Sequence, residues 1–570
     1  MTSRKTWKIL SQAPESFKTK FPQYSQIILN LIYHRLPHNL VNIENFFNPD
    51  YTKTLHSPFL FKDMSKAVKR ILEAVDKKEK IAIFGDYDVD GVTSVLILCD
   101  TLSALGSEPT VYIPDRKDEG YGLNFPAITE FKKKKIKLLI TVDCGVRDIE
   151  EIEKANKLGL DVIITDHHLP GRELPKALAI INPRLKNERY PFKDLAGVGV
   201  AYKLALALIK EVPEQFPAGF EKWLLDLVAL GTVADMVPLL GENRTLVKYG
   251  LVVLNKTRRL GLQELFKTAR LNFSSKNPLG TSQIGFQIAP RINSAGRIDH
   301  ANFAFALLNT QEKAEAQKIA SNLEEKNSQR QKITHEIVQK IEEKVDKNQK
   351  LIFVGQKGWP IGILGLVAGK ICEKFARPTF VYTIKDQLCR GSIRSLGKFK
   401  VVATLEECRD LLIDYGGHDF AGGFSFNIQN EKKLAKKLQK IADKLLSEKD
   451  LVQEIQIDGR ISLTEVNQKM YKDLKKLEPF GSGNPAPLFL AEKVKVFGCN
   501  IIGSDNKHLK IWFQDGEQYF EAIAFGKGNR HGSLVTNKNT FLDIIFEISS
   551  DEWNGEKKLT LIIRDFRISP

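Results

Sequence analysis

The chain has 570 residues, 42% of them hydrophobic and 27% charged, with 85 Lys+Arg against 69 Asp+Glu and so a formal charge of +16. This length accommodates about three to five domains, its apolar fraction excludes disorder as a description of the whole, and neither an apolar leader nor a stretch near the roughly 18 residues of a membrane span is present, so a soluble cytoplasmic protein is expected. A positive excess with an isoelectric point near 9.2 favours a polyanion partner, nucleic acid first.

Residues 1–75 are weakly patterned and read as an N-terminal extension. From Lys80 short apolar runs alternate with helical patterns: KIAIF, TSVLILCDTLSAL, EPTVYIP, LLITV, IEEIEKANKLG, DVIIT. Strand and helix in this alternation predict parallel βαβ units and a doubly wound sheet. Residues 197–270 read as helical, and 311–346 as one long amphipathic helix with Ile319, Leu323, Ile333, Ile337, Ile341 and Val345 among charges. A second α/β unit begins at KLIFVGQKGWPIGILGLVAGKICEKF and runs to the charged helix at 430–449. Beyond Gln453 come short strands with turn signals, and no helix is expected past residue 490, which predicts a small β-barrel or sandwich. The domain boundaries are therefore set at 1–75, 76–245, 246–346, 347–450 and 451–570. Cys99, Cys144, Cys372, Cys389, Cys408 and Cys499 lie singly, with no CxxC pair, so neither a disulfide framework nor a structural zinc site is indicated.

The first predicted strand ends in GDYDVDG, which places Asp86, Asp88 and Asp90 at alternate positions where a strand turns into a helix. The string matches half of a calcium-binding helix-loop-helix motif, but the position that should supply a bidentate Glu is Ile97 and the preceding segment is a strand. A solvated turn explains one such Asp; three together repel unless a cation relieves them. Two further strand ends repeat the pattern, with Asp143 after LLITV and Asp166, His167 and His168 after DVIIT. The carboxyl edge of a parallel sheet is where ligands bind. Asp235, in ALGTVADMVP, follows an apolar helix; taken alone it could equally be an N-cap. Asp86, Asp88, Asp90, Asp143, His167 and Asp235, with His168 beside them, make a carboxylate-dominated set that favours Mn²⁺ or Mg²⁺ over zinc. That number of groups suits two ions about 3.5–4 Å apart, an arrangement that hydrolyses phosphate esters.

GDYDVDG, VDCG, Asp166-His167-His168 and GTVADMVP, in that order, resemble the four motifs of the DHH phosphoesterase superfamily. Gly391-Ser392-Ile393-Arg394-Ser395 and Gly416-Gly417-His418, followed by AGGF, resemble the associated DHHA1 domain. Glu478 to Pro485, EPFGSGNP, is similar to the hinge preceding the OB-fold in the single-strand exonuclease branch. The resemblance spans about residues 75–570. It implies a DHH catalytic domain with a doubly wound parallel sheet, a connecting helix, a second α/β domain of DHHA1 type and a C-terminal OB-like β-barrel.

The resemblance further implies that Asp88, Asp90, Asp143, His167 and Asp235 hold Mn²⁺, with Asp143 bridging and these residues with His168 forming the catalytic set. Many superfamily members carry His where this chain has Phe84, which cannot ligate, and Asp86 is the nearest substitute. His168 is assigned to phosphate contact or leaving-group protonation, or else to orienting a ligand. A pocket for a 5′-terminal phosphate is implied, with Arg116, Arg297, Ser392 and Arg394 as candidates, while His418 reaches the phosphate next to the metals and Tyr121 is a base-stacking residue that helps keep duplex out. Phe497, Trp512, Phe513, Phe520 and Phe525 supply aromatics to the C-terminal part, of which alternation assigns about half to the core. The implied activity is a 5′ to 3′ single-strand DNA exonuclease in repair and recombination, with a helicase and a single-strand-binding protein as implied partners. The alternatives are a phosphodiesterase of short oligonucleotides or cyclic dinucleotides, and a non-catalytic single-strand-binding scaffold.

Overall fold

Ile81–Gly85 (β1), Thr110–Tyr112 (β2), Leu138–Val142 (β3), Asp161–Thr165 (β4) and Ala179–Ile181 (β5) are short apolar runs rich in β-branched residues. In the computed structural model, which describes residues 5–36, 43–115, 119–298, 302–346, 348–503, 506–535, 540–553 and 556–569, they pair in the order β2-β1-β3-β4-β5, every neighbour parallel. Alternation divides their side chains between two cores. Ile81, Ile83, Leu138, Ile140, Val142 and Ile163 pack with Val89–Ala104 (α1), Gly197–Glu211 (α4) and Leu225–Ala234 (α5). Ala82, Phe84, Leu139, Val162 and Ile164 pack with Phe125–Lys133 (α2) and Ile149–Lys157 (α3). A sheet buried on both faces explains the near-continuous apolar strands, and the doubly wound domain stands as expected.

The strand order reverses between β1 and β3, so the loops leaving their carboxyl ends diverge and open a crevice there. Ala289–Ile298 (α6) lies beyond this domain and is followed by Lys313–Glu342 (α7), a continuous helix of 30 residues. Along α7, Ile319 and Leu323 join the first core while Ile337 and Ile341 join a second, so one amphipathic helix serves two hydrophobic centres. That second centre is built with Ile352–Lys357 (β6), Ile361–Phe375 (α8) and Thr379–Lys385 (β7), whose strands continue through Leu388–Arg394 (β8), Asp414–Gly417 (β9) and Ala421–Asn427 (β10) over a separate core. Its sheet runs β9-β10-β8-β7-β6, parallel only between β6 and β7.

Residues Tyr51–Gln453 form one compact unit, and Lys5–Asp50 with Glu454–Pro570 form another. In the second unit Phe489–Ile502 (β11), His508–Asp515 (β12), Gln518–Ala524 (β13), Phe541–Trp553 (β14) and Glu556–Ile568 (β15) pair in the order β11-β12-β13-β15-β14, and β14 closes back on β11. The result is a closed barrel, not a sandwich. A short helix, His531–Val535, sits between β13 and β14, contrary to the expectation of none beyond residue 490. The weakly patterned N-terminus also has its explanation here: strand Lys5–Ile9 pairs with Gln453–Ile457, Arg35 grips Asp458 through two nitrogens at 2.8 and 3.2 Å, and Trp7 donates to Asp565 at 3.1 Å. Partners hundreds of residues apart leave no local signal. Among the described residues no helix is long and apolar enough to cross a membrane.

Candidate metal centre

Four elements, β1, α1, β3 and α5, aim carboxylates at the crevice. Asp86 follows β1 directly and is buried. Asp88 caps α1, its Oδ1 accepting from the amides of Asp90 at 2.9 Å and Gly91 at 3.1 Å, which satisfies donors that a helix start otherwise leaves open. Asp90, in the first turn, accepts from the amides of Gly197 at 2.7 Å and Val198 at 2.8 Å, so the start of α4 is tied to the start of α1. Gly197 is required by proximity, since a Cβ there would lie 2.5 Å from Asp143 Oδ1. Asp143 itself has φ +59°, a left-handed conformation that costs a non-glycine residue about 1–3 kcal/mol and clusters at functional sites. Asp235 is the C-cap of α5, which excludes the N-cap reading. A carboxylate at the negative end of a helix dipole is unfavourable without a cation nearby.

The imidazole side comes from the end of β4. His167 Nε2 lies 3.1 Å from Asp143 Oδ1, 3.7 Å from Asp235 and 3.8 Å from Asp90. Neither His167 Nε2 nor Asp143 Oδ1 has a hydrogen-bond partner among the described residues, although both are buried. Asp166 turns away from this cluster. Its Oδ1 accepts from the amides of His167 and His168 and from His168 Nδ1 at 2.8 Å, and its Oδ2 accepts from Val146 N at 3.0 Å. It therefore fixes the loop and the tautomer of His168, leaving that ring's Nε2 directed elsewhere.

Ligand atoms of Asp86, Asp88 and Asp143 lie within 4.8 Å of one another, as do those of Asp90, His167 and Asp235, and those of Asp143, His167 and His168. Burial, with repulsion among the carboxylates, pushes Asp90 up to about 7 and Asp235 up to about 9, and raises Asp143 well above the usual carboxylate range. Burial, with the neighbouring His168, depresses His167 to about 3, so its imidazole is neutral and its lone pair available. Acids that suppress one another's ionisation beside an unpartnered neutral imidazole suit a divalent cation, whose charge reverses this electrostatic cost. These residues fit Mn²⁺ or Mg²⁺.

Phe84 stacks on Tyr112 at 5.5 Å deep in the core and plays no part in the cluster. Arg116 lies outside the described residues. Ser392 and Arg394 share a face of β8 and meet the first turns of α8, where a Cβ on Gly365 would lie 3.2 Å from Arg394 Nη2 and 3.7 Å from Ser392 Oγ. Arg297 reaches the same turn, donating to Gly362 O at 3.0 Å. His418 lies near His168, with ring centroids 6.4 Å apart and planes at 16°. Sequence reasoning missed Asn182, which donates to His168 O at 2.9 Å, and Arg184, whose charge bears on both Asp235 and His418. Both follow β5 at the same carboxyl edge, so inspecting that strand end as the other three were inspected would have found them.

Residues 80–232 match the family described as DHH family, N-terminal domain, 348–445 match the DHHA1 domain and 457–565 match the RecJ OB domain. The single-stranded-DNA-specific exonuclease RecJ of Haemophilus influenzae is 32% identical over 547 residues, covering 92% of this chain and 94% of that protein. The chain belongs to the RecJ family. The Bacillus subtilis RecJ is 38% identical over 519 residues, or 90% of this chain, but the chain spans only 64% of that relative's length. RecJ of Thermus thermophilus in complex with Mn²⁺ superposes with a TM-score of 0.84 at 28% identity, covering 99% of this chain and 80% of that one. A RecJ complex with Mg²⁺ from the same organism gives a TM-score of 0.78 at 27% identity, covering 99% of this chain and 78% of that one.

Proposed function

We propose that this chain is a single-stranded-DNA-specific exonuclease that hydrolyses phosphodiester bonds from the 5′ end and releases 5′-mononucleotides, with two Mn²⁺ ions, replaceable by Mg²⁺, as cofactors. The observation that carries the reading is the cluster of buried Asp90, Asp143 and His167 with half-buried Asp235 at the sheet's carboxyl edge, with unpartnered atoms facing each other at 3.1 Å. Its relatives' names and their Mn²⁺ and Mg²⁺ complexes support both the substrate and the ions.

Asp86, Asp88, Asp90, Asp143, His167 and Asp235 would hold the metals. Asp143 and His167 each belong to two of the three ligand groups, so these two residues stand where the groups meet. Bound there, the ions supply Lewis-acid charge neutralisation and a hydroxide at neutral pH. His168, held by Asp166, presents its free nitrogen to the phosphate or the departing oxygen. Arg297, Ser392 and Arg394 gather at one end of α8 as a site for the terminal phosphate, with guanidinium groups suited to bidentate contact. One helix links the two sites: in α6, Asn293 accepts from Val89 N of the metal loop at 3.2 Å, and Arg297 stands one turn further on, about 6 Å. The OB-type barrel supplies further strand affinity, and binding falls steeply with salt. A role in repair and recombination in the cytoplasm, beside a helicase and a single-strand-binding protein, accords with this reading.

A time course on end-labelled single-stranded DNA, with RNA and duplex controls in Mn²⁺, Mg²⁺ or EDTA, tests it. Mononucleotides released from the 5′ end of single strands are the expected result. Turnover confined to di- to pentanucleotides or cyclic dinucleotides, or tight binding without turnover, overturns it.

A further inference from the structure

Tyr121 presents two faces that point to different roles. The residue is 49% exposed, as a stacking platform would be. Its hydroxyl is committed inward, donating to the backbone carbonyl of Asp143 at 3.1 Å and lying 3.0 Å from His168 Nδ1, the nitrogen that also donates to Asp166. The ring meets the His168 ring edge-on at 5.5 Å.

The turn carrying Tyr121 is built for this contact. Gly120 and Gly122 flank it with φ of +82° and +90°, conformations that favour glycine. Asp148, on the loop after Asp143, receives the amide of Leu123 at 2.7 Å, and a Cβ on Gly122 would lie 2.9 Å from its carboxylate. The loop bearing Asp143 is thus fastened to the Tyr121 turn twice, once through Asp148 and once through the hydroxyl. The carbonyl that the hydroxyl holds belongs to the residue in the left-handed conformation, the place where the backbone has most to gain from an external restraint.

We propose that Tyr121 is a positioning residue: its hydroxyl, together with Asp166, fixes the ring of His168 beside the metal centre, in place of the base-stacking role that the family resemblance implies. This rests on the exonuclease reading above for the reaction it serves, but the contacts themselves do not depend on that reading.

The test uses the full chain with Mn²⁺ on 5′-phosphorylated single-stranded DNA and compares Tyr121→Phe, Tyr121→Ala, His168→Ala and the Tyr121→Phe/His168→Ala pair. Tyr121→Phe, which keeps the ring, is expected to lower kcat about 10- to 100-fold with KM unchanged and Mn²⁺ binding by calorimetry intact, the usual size for loss of an orienting partner. Tyr121→Ala should fall little further, and in the His168→Ala background Tyr121→Phe should cost less than about threefold, as expected for residues acting through one another. Near-normal kcat for Tyr121→Phe with a raised KM for Tyr121→Ala overturns the proposal in favour of stacking. Additive losses, or loss of Mn²⁺ binding in Tyr121→Phe, overturn it as well. An inactive wild type overturns the exonuclease reading alone. In that case nitrogen NMR of selectively labelled histidines decides: Tyr121→Phe should move the His168 ring signals, and unmoved signals overturn the positioning role.

Discussion

The parallel sheet gathers its acids and imidazoles at strand ends, whereas the C-terminal barrel carries its aromatics along its strands. In the sheet, topology collects residues as distant in sequence as Asp86 and Asp235 at one edge and crowds them there with little solvent, so the charge on each carboxylate bears on the others. In the barrel, alternation spreads aromatics over a curved surface, so neighbouring positions part company: Phe513 is fully buried, whereas Phe497 and Phe525 are exposed at 63% and 56%. Trp512 is half-buried, with the Lys510 ammonium 5.4 Å over its ring. A buried cooperative site should fail as a whole when one member goes, and a distributed surface should fail by degrees.

The sharpest way to break that contrast is Asp143→Asn. It should abolish nuclease turnover by roughly 10³-fold or more, several kcal/mol of transition-state stabilisation. In EDTA the same variant should melt at a higher temperature than wild type at neutral pH, because it removes an acid whose ionisation burial and four neighbouring aspartates oppose. A lower melting temperature there would show that the cluster is not under electrostatic strain. Phe513→Ala, at a buried barrel position, should lose about 3–5 kcal/mol in denaturant melts of the barrel unit. Trp512→Ala, one position away, should leave those melts nearly unchanged and weaken binding to long single strands by about 1–3 kcal/mol, read by titration. Equal effects on stability would erase the inside-outside distinction.

The smallest effect concerns Asp543, which accepts from Lys493 N, Ser569 Oγ and Arg567 Nε between 2.7 and 3.0 Å. Burial opposes its ionisation, but these hydrogen bonds and the Arg567 charge hold its pKa below the ordinary carboxylate value. A depressed folded pKa stabilises above the unfolded value of about 3.9 and is lost as pH falls through the folded one. Asp543→Asn should therefore lose about 1 kcal/mol at pH 5 to 7, with the gap to wild type closing below about pH 4. A gap that persists in acid would mean that shape, not charge, matters there.

Most of the sheet and most of the cluster were legible because each strand is a local apolar run and each clustered acid or imidazole lies at or just past the end of a strand or helix. Asp86, Asp88, Asp90, Asp143, His167 and Asp235 could be collected by asking the same question of successive strand and helix ends. Tyr121 was legible only as an aromatic between glycines; the direction of its hydroxyl depends on loops from two other strands. Asp235 could not be placed as a C-cap or an N-cap because neither end of α5 carries a capping sequence. The attachment of Lys5–Ile9 to Gln453–Ile457 had no sequence signature, since strand pairing across that distance is decided by what remains unpaired once nearer partners are satisfied.

That attachment has a consequence for the order of assembly. Lys5–Asp50 leaves the ribosome well before its partners, Glu454–Pro570, are made. At about 5–20 residues per second, synthesis of the intervening residues 51–453 occupies roughly 20 to 80 s. Throughout that interval the unit of residues 51–453 is still being made, and the nascent N-terminal strand has its pairing edge open and its Arg35 without Asp458. The barrel unit therefore completes its fold after the catalytic unit, and its N-terminal segment is where a chaperone has most to protect.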